Sequence, residues 1–373
     1  MFHAIIKPFS LMIFGMLLLM PVTPAWGALD HQGTEFILGF LPNMFTQDST
    51  ELHLISDVAT SVTVEYPVND PTFISTIAVS PGTITVVTIP MEAATVWTAG
   101  AVRNNAVHAF ASEEFVAYMT NGTSLSKDAA LGLPVDTMNT TYRVLSALPS
   151  QLVASDRSQF VVVAGFDGTE VTITPTGAMA GGFAAGTPFT ITLNKGEGFL
   201  GQGTTSGTSG DISGTLIQAT RPVGMTNGNV CTNVPQDVPF CDHVFEVAQP
   251  VQTWGLSTLV GNLPQKTGGS IYRIMASEDG TNVTEDGVAL TTLNAGQVFT
   301  TPELPGNHVF EGDKPIFVAQ LMTSHNAGVW PFNGDPAMGN MIPSTQYSTH
   351  YTLSTGTGFA DNFSPLITAM ALR

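Results

Sequence analysis

A chain of 373 residues with 11 Lys and Arg against 29 Asp and Glu carries a net charge of −18, which excludes a phosphate backbone, and so nucleic acid, as partner. Charged residues make up only 11% against a usual ~25%; Thr, Ser, Gly and Val take their place, as in exported β-proteins kept soluble by hydroxyls. This composition calls for no cofactor, although so much acid is compatible with calcium.

Residues 1–27 read as a secretory signal peptide. Lys7 precedes an uncharged apolar run, 9–20, which Pro21 and Pro24 break ahead of the small residues Ala25 and Gly27. The run falls well short of the ~20 residues that span a bilayer. The mature chain is therefore expected to be secreted, extracellular or at a cell surface, without a membrane span. Its length exceeds the ~100–200 residues of one domain, so two or more core-forming units are expected.

From there on the pattern is all-β. Segments such as 61–66, 171–174 and 189–193 alternate β-branched with other residues at period two, and Asp167-Gly168, Asp279-Gly280 and Asp286-Gly287 supply tight turns. The strands also recur. Hairpins at 52–66, 158–174 and 271–284 are each followed by a second strand pair (77–89, 189–200, 290–300), then by a third hairpin. That third hairpin is centred on Glu113-Glu114, Arg221-Pro222 or Lys314-Pro315. A first strand precedes each set, at 35–40, 142–148 and 256–260. This order predicts tandem antiparallel sandwich-like modules of about seven strands, the immunoglobulin-like count. A propeller-like arrangement is the alternative, but its four-stranded blades fit the period less well.

The expected division is a module at 28–125, a second at 126–230, a junction at 231–255, a third module at 256–325, and at 326–373 a junction with the truncated start of a fourth. Pro134, Pro250 and Pro343 lead into successive first strands, each followed four residues later by a bulky side chain: Met138, Trp254 or Tyr347. Further domains are expected after Arg373. Sequons at Asn121, Asn139, Asn282 and Asn362 matter only if the source glycosylates its exports.

The second junction concentrates the chemistry. Cys231 and Cys241, the only cysteines, are spaced too far apart for a zinc knuckle and suit a disulfide-closed loop in an exported chain. Asp242, His243 and Glu246 follow. Against a partial metal site at Asp242 and His243 stands the reading in which the acids accept turn N–H groups and His243 packs on Trp254; no metal is called. Trp254 and Trp330 serve either as junction core or as anchors for a partner. Asp335 completes the candidate set. The acids at 279, 285 and 286 lack a calcium-loop spacing and read as solvated hairpin tips.

Several of these residues carry a resemblance. Asp211 to Gly214, Arg221-Pro222-Val223, Cys231, Val234-Pro235, Cys241-Asp242-His243, Glu246, Pro250, Trp254-Gly255, Asp335-Pro336-Ala337-Met338, Pro343, Gln346 and Tyr351 resemble the amino-terminal domain family of IgGFc-binding proteins. One departure is Val247, where the family pattern has Gln. The resemblance implies a secreted, non-enzymatic binding or adhesion domain.

Catalytic templates are missing: the chain holds no Gly-x-Ser-x-Gly elbow, phosphate loop or His-Glu-x-x-His. The expected function is extracellular binding or adhesion to a protein, glycoprotein or glycan. The alternatives are a metal-assisted carbohydrate-active enzyme with its site at a module junction, and a structural spacer in a larger surface protein.

Overall fold

A computed structural model describes residues 31–44, 49–123, 126–263, 268–324 and 335–347. The signal peptide, Trp330 and the start of a fourth module lie outside the described residues. Among the described residues no helix is long and apolar enough to cross a membrane.

The fold is all-β, with three antiparallel sheets of about seven strands each. The first uses β1 (Gly33–Leu38), β2 (Ser49–Ile55), β3 (Thr60–Tyr66), β4 (Phe73–Val79) and β5 (Thr85–Thr88). After β6 (Val102–Asn104) it is completed by β7 (Val107–Gly122) and β8 (Lys127–Leu131). The second comprises β9 (Asn139–Arg143), β10 (Ser158–Ala164), β11 (Thr169–Thr174), β12 (Phe189–Leu193), β13 (Glu197–Gln202), β14 (Leu216–Thr232) and β15 (Asp242–Val247). The third repeats the order with β16 (Gly255–Val260), β17 (Ile271–Ala276), β18 (Thr281–Glu285), β19 (Val288–Leu293), β20 (Val298–Thr300), β21 (His308–Met322) and β22 (Ala337–Met341).

Each sheet is organised by its long strand. The first half of β7 pairs with β1 and β3, and the second half with β2 and β8. β14 and β21 do the same with their own neighbours. One strand thus belongs to both layers and folds the sheet into a barrel-like sandwich.

The expected third hairpins are not hairpins. Glu113-Glu114, Arg221-Pro222 and Lys314-Pro315 lie inside β7, β14 and β21, strands of 16, 17 and 15 residues. They sit where the register shifts as the strand passes from one layer to the other. A bulge tolerates Pro and charge because its backbone is locally out of the ladder, so the turn-like chemistry marks a bend within one strand. The strand after each bend, β8, β15 or β22, completes each sheet. β15 thus falls inside the stretch expected to be a connector.

The sheets do not stand apart. β6, drawn from the first unit, pairs with β13 of the second sheet. β10 is buried at every residue: Phe160, Val162 and Ala164 face their own core, while Val161 and Val163 join the core of the first unit. β17 repeats this, with Tyr272, Ile274 and Ala276 facing inward and Ile271 and Met275 packing with Leu145, Val234 and Val244 of the second unit. The lead-in prolines cap short 3-10 turns, Val135–Thr137, Val251–Thr253 and Ser344–Gln346. Pro134 and Pro343 lie so close to Gly33 and Gly255, at the start of β1 and β16, that a side chain there would collide with the ring.

Candidate binding site at the disulfide loop

Cys231 lies in the buried half of β14, one residue before its end, and its disulfide to Cys241 brings the two Cα atoms to 5.2 Å. The loop between them is held from both sides. Buried Asp156 accepts the Cys231 N–H at 3.0 Å and the Ser150 N–H at 2.7 Å, and burial pushes its carboxyl above the ordinary range. Ser324, from the third unit, donates its N–H to the Val234 carbonyl at 2.6 Å and accepts the Val234 N–H at 2.9 Å. Phe240 stands at φ +69° with its side chain 56% exposed. A bulky residue in left-handed backbone persists only where its surroundings impose it, and the closed loop does so here.

Beside this loop a groove of about 360 Å³ opens between the second and third units. Leu148, Val234, Ile271 and Leu321 give it an apolar floor, and Gln151, Gln236, Asp237 and Glu303 a polar, acidic rim. An apolar concavity with a few polar groups is the usual form of a recognition site.

The residues after the loop face the other way, into the seam with the first unit. Ser126 donates its hydroxyl to Asp242, which also accepts the His243 N–H at 2.7 Å. Burial pushes the Asp242 carboxyl up to about 7, with a smaller contribution from exposed Asp335. His243 is fully buried. Its Nδ1–H donates to the Asn229 carbonyl at 2.7 Å, so Nε2 is the acceptor for Asn121 at 3.3 Å. Burial holds this imidazole neutral, down at about 4. Both ring nitrogens are engaged within the protein, which leaves no lone pair for a metal. The ring stacks on Phe245, at 5.3 Å between centroids, and not on Trp254 as expected.

Glu246 and Asp128 face each other across the same seam. Burial raises both carboxyls well above the usual range, and mutual repulsion adds to the shift at Glu246. Asp128 accepts the Phe245 N–H at 3.0 Å. Trp254 lies in the opposite seam, buried and stacked on Phe317 at 5.3 Å, with its indole N–H donated to the Gln249 carbonyl at 3.3 Å. Asn121, which heads a sequon, is also fully buried and donates to the Leu41 carbonyl at 2.6 Å, so the folded chain does not present it.

The stretch from Cys231 to Trp254 therefore touches all three units, whereas it was expected between the second and third alone. The sequence reading missed Ser126 and Asp128, whose partners Asp242 and Phe245 lie 116 and 117 positions away, and the groove, whose walls come from separate segments of the second and third units.

A family model described as IgGFc binding protein matches residues 128–371. The chain belongs to the IgGFc-binding protein family. It is similar to the human IgGFc-binding protein, at 28% identity over 148 residues, which is 39% of this chain and 3% of that one. The matched part is thus a small fraction of the human relative's length. No solved structure matches.

Proposed function

We propose that the protein is a secreted, non-catalytic binding domain that takes an extracellular protein or glycoprotein partner at the disulfide loop. The groove carries this reading: its apolar floor is open, its rim is acidic, and exposed Phe240 stands on the same stapled loop. Exposed aromatics on rigid loops supply contact area at little entropic cost, as hot spots do. The candidate residues Asp242, His243 and Glu246 then support the loop from beneath and do not touch the partner. Export by residues 1–27 accords with a disulfide-closed loop.

The family name directs the first ligand to test, the Fc region of immunoglobulin G; mucin-type glycoproteins and a glycan array follow. Binding of the full chain would be measured by biolayer interferometry, beside the variants Phe240→Ser and Asp237→Arg. A loss of at least about tenfold in either variant supports the groove. Binding that ignores both substitutions overturns it, and silence across the whole panel favours a spacer role.

A further inference from the structure

His308 opens β21 and faces the end of the β18–β19 hairpin. Its Nδ1 lies 3.1 Å from Glu285 Oε1 and 3.0 Å from Asp286 Oδ2. Its Nε2 lies 3.1 Å from the Pro305 carbonyl, which can only accept, so Nε2 carries a hydrogen. The other nitrogen therefore aims at two carboxylate oxygens at once. Asp286 and His308 are each fixed by a further contact, His308 through the Pro305 carbonyl. Asp286 exchanges two bonds with Val309: its N–H donates to the Val309 carbonyl and its Oδ1 accepts the Val309 N–H, both at 2.9 Å. Glu285 sits in the ladder opposite Phe310. The Tyr272 ring stands edge-on to the imidazole at 6.2 Å.

A second cluster in the first unit shows what neutralises such a set. There His108 gives Nε2 to Glu35 at 2.9 Å and Nδ1 to Glu65 at 3.3 Å, one carboxylate for each nitrogen. Lys195 reaches across from the second unit to Glu35 at 2.6 Å. In the third unit both carboxylates crowd onto one nitrogen. Among the described residues no lysine or arginine pairs with Glu285 or Asp286, and this is the only group of three metal-ligating side chains with converging donor atoms.

We propose that Glu285, Asp286 and His308 bind a divalent cation of the zinc or manganese class. One imidazole nitrogen with two carboxylate oxygens suits such borderline metals, and it disfavours calcium, which takes oxygen alone. The Nε2–H to carbonyl bond is the outer contact that orients metal-ligating histidines. Three protein ligands leave the remaining positions to water. The site clamps the β18–β19 hairpin to β21.

The test is titration of the untagged, chelator-treated full chain with Co2+, read by its visible absorption, and with Zn2+ by calorimetry. One saturable site is expected, weakened at least tenfold in His308→Ala, Glu285→Gln and Asp286→Asn and unchanged in His108→Ala. Circular dichroism establishes that each variant is folded, and the two isosteric carboxylate variants answer the question should His308→Ala unfold. No saturable binding up to about 1 mM metal, or equal affinity in the carboxylate variants, overturns the proposal.

Discussion

Arg273 Nη2 lies 2.6 Å from Asp211 Oδ2, an ion pair sealed between the second and third units. The same guanidinium donates to the Ser146 carbonyl and, at 3.0 Å, to the Ser213 hydroxyl. Arg273 also donates its Nε–H to the Thr300 hydroxyl at 3.3 Å; its neighbours on that face of β17, Ile271 and Met275, are apolar, and Asp211 is the carboxylate that balances its charge.

Arg273→Ala is therefore expected to destabilise the fold by about 3–5 kcal/mol, because it removes the cation paired with Asp211 Oδ2, leaving that carboxylate only the Ser213 N–H at 2.9 Å, and it takes the guanidinium donor from the Ser146 carbonyl. The double variant Arg273→Met with Asp211→Leu should recover most of that loss, since apolar side chains of similar size remove the desolvation cost of both charges. Urea unfolding checks both. An unchanged midpoint in Arg273→Ala would refute the role.

The carboxylates at the first seam predict a pH dependence whose sign is determined. Asp242, at about 7 in the folded chain against an ordinary 3.8, binds its proton more tightly folded than unfolded, so its contribution is lost as pH rises through 7. Glu246 and Asp128 act in the same direction. His243, lowered to about 4 from 6.5, acts oppositely, but only below pH 6.5, where it charges in the unfolded chain. Between pH 6.5 and 8 the carboxylates act alone and the melting temperature should fall. Asp242→Asn keeps an acceptor for Ser126 and removes the charge; it should raise stability at pH 8, by up to roughly 4 kcal/mol, and much less at pH 5. A profile that is the same in the variant would refute the assignment.

Replacing Cys231 and Cys241 together by Ser should lower stability by about 3 kcal/mol through the entropy of an open loop. It should also release Phe240 from its left-handed conformation and weaken partner binding beyond the loss of stability. Thermal melting with and without reductant, read beside interferometry, separates the two effects.

The recurring order reads as modules that fold independently, yet the shared cores argue otherwise. A fragment of residues 139–247 lacks β6 and bares Val161, Val163, Phe245 and Val247. It is expected to aggregate and to bind a hydrophobic dye, whereas the full chain elutes as a compact species. A monomeric fragment with strand-type circular dichroism would show that each sandwich suffices alone.

What the amino-acid sequence determined by itself is local. Period-two alternation, Asp-Gly turns and the recurring order of strands predict an all-β fold of about seven strands per unit, because pleating, turn backbone and repetition are properties of neighbouring residues. The cysteine pair was legible for the same reason, and so was the placing of Trp254 in a junction. What only the tertiary structure decided is which face meets which. The run Ser158–Ala164 holds apolar residues on both faces, a sign of burial from two sides, but nothing local says what covers the second face. Glu113-Glu114 and its counterparts look like turns because charge and proline leave a ladder in either case; the pairing partners, distant in the chain, show them to be bends. Asp242 meets Ser126, Arg273 meets Asp211 and His308 meets Glu285 only after sheets have paired. The energy that selects those meetings, the burial of apolar faces between sandwiches, belongs to the assembled units and not to any segment.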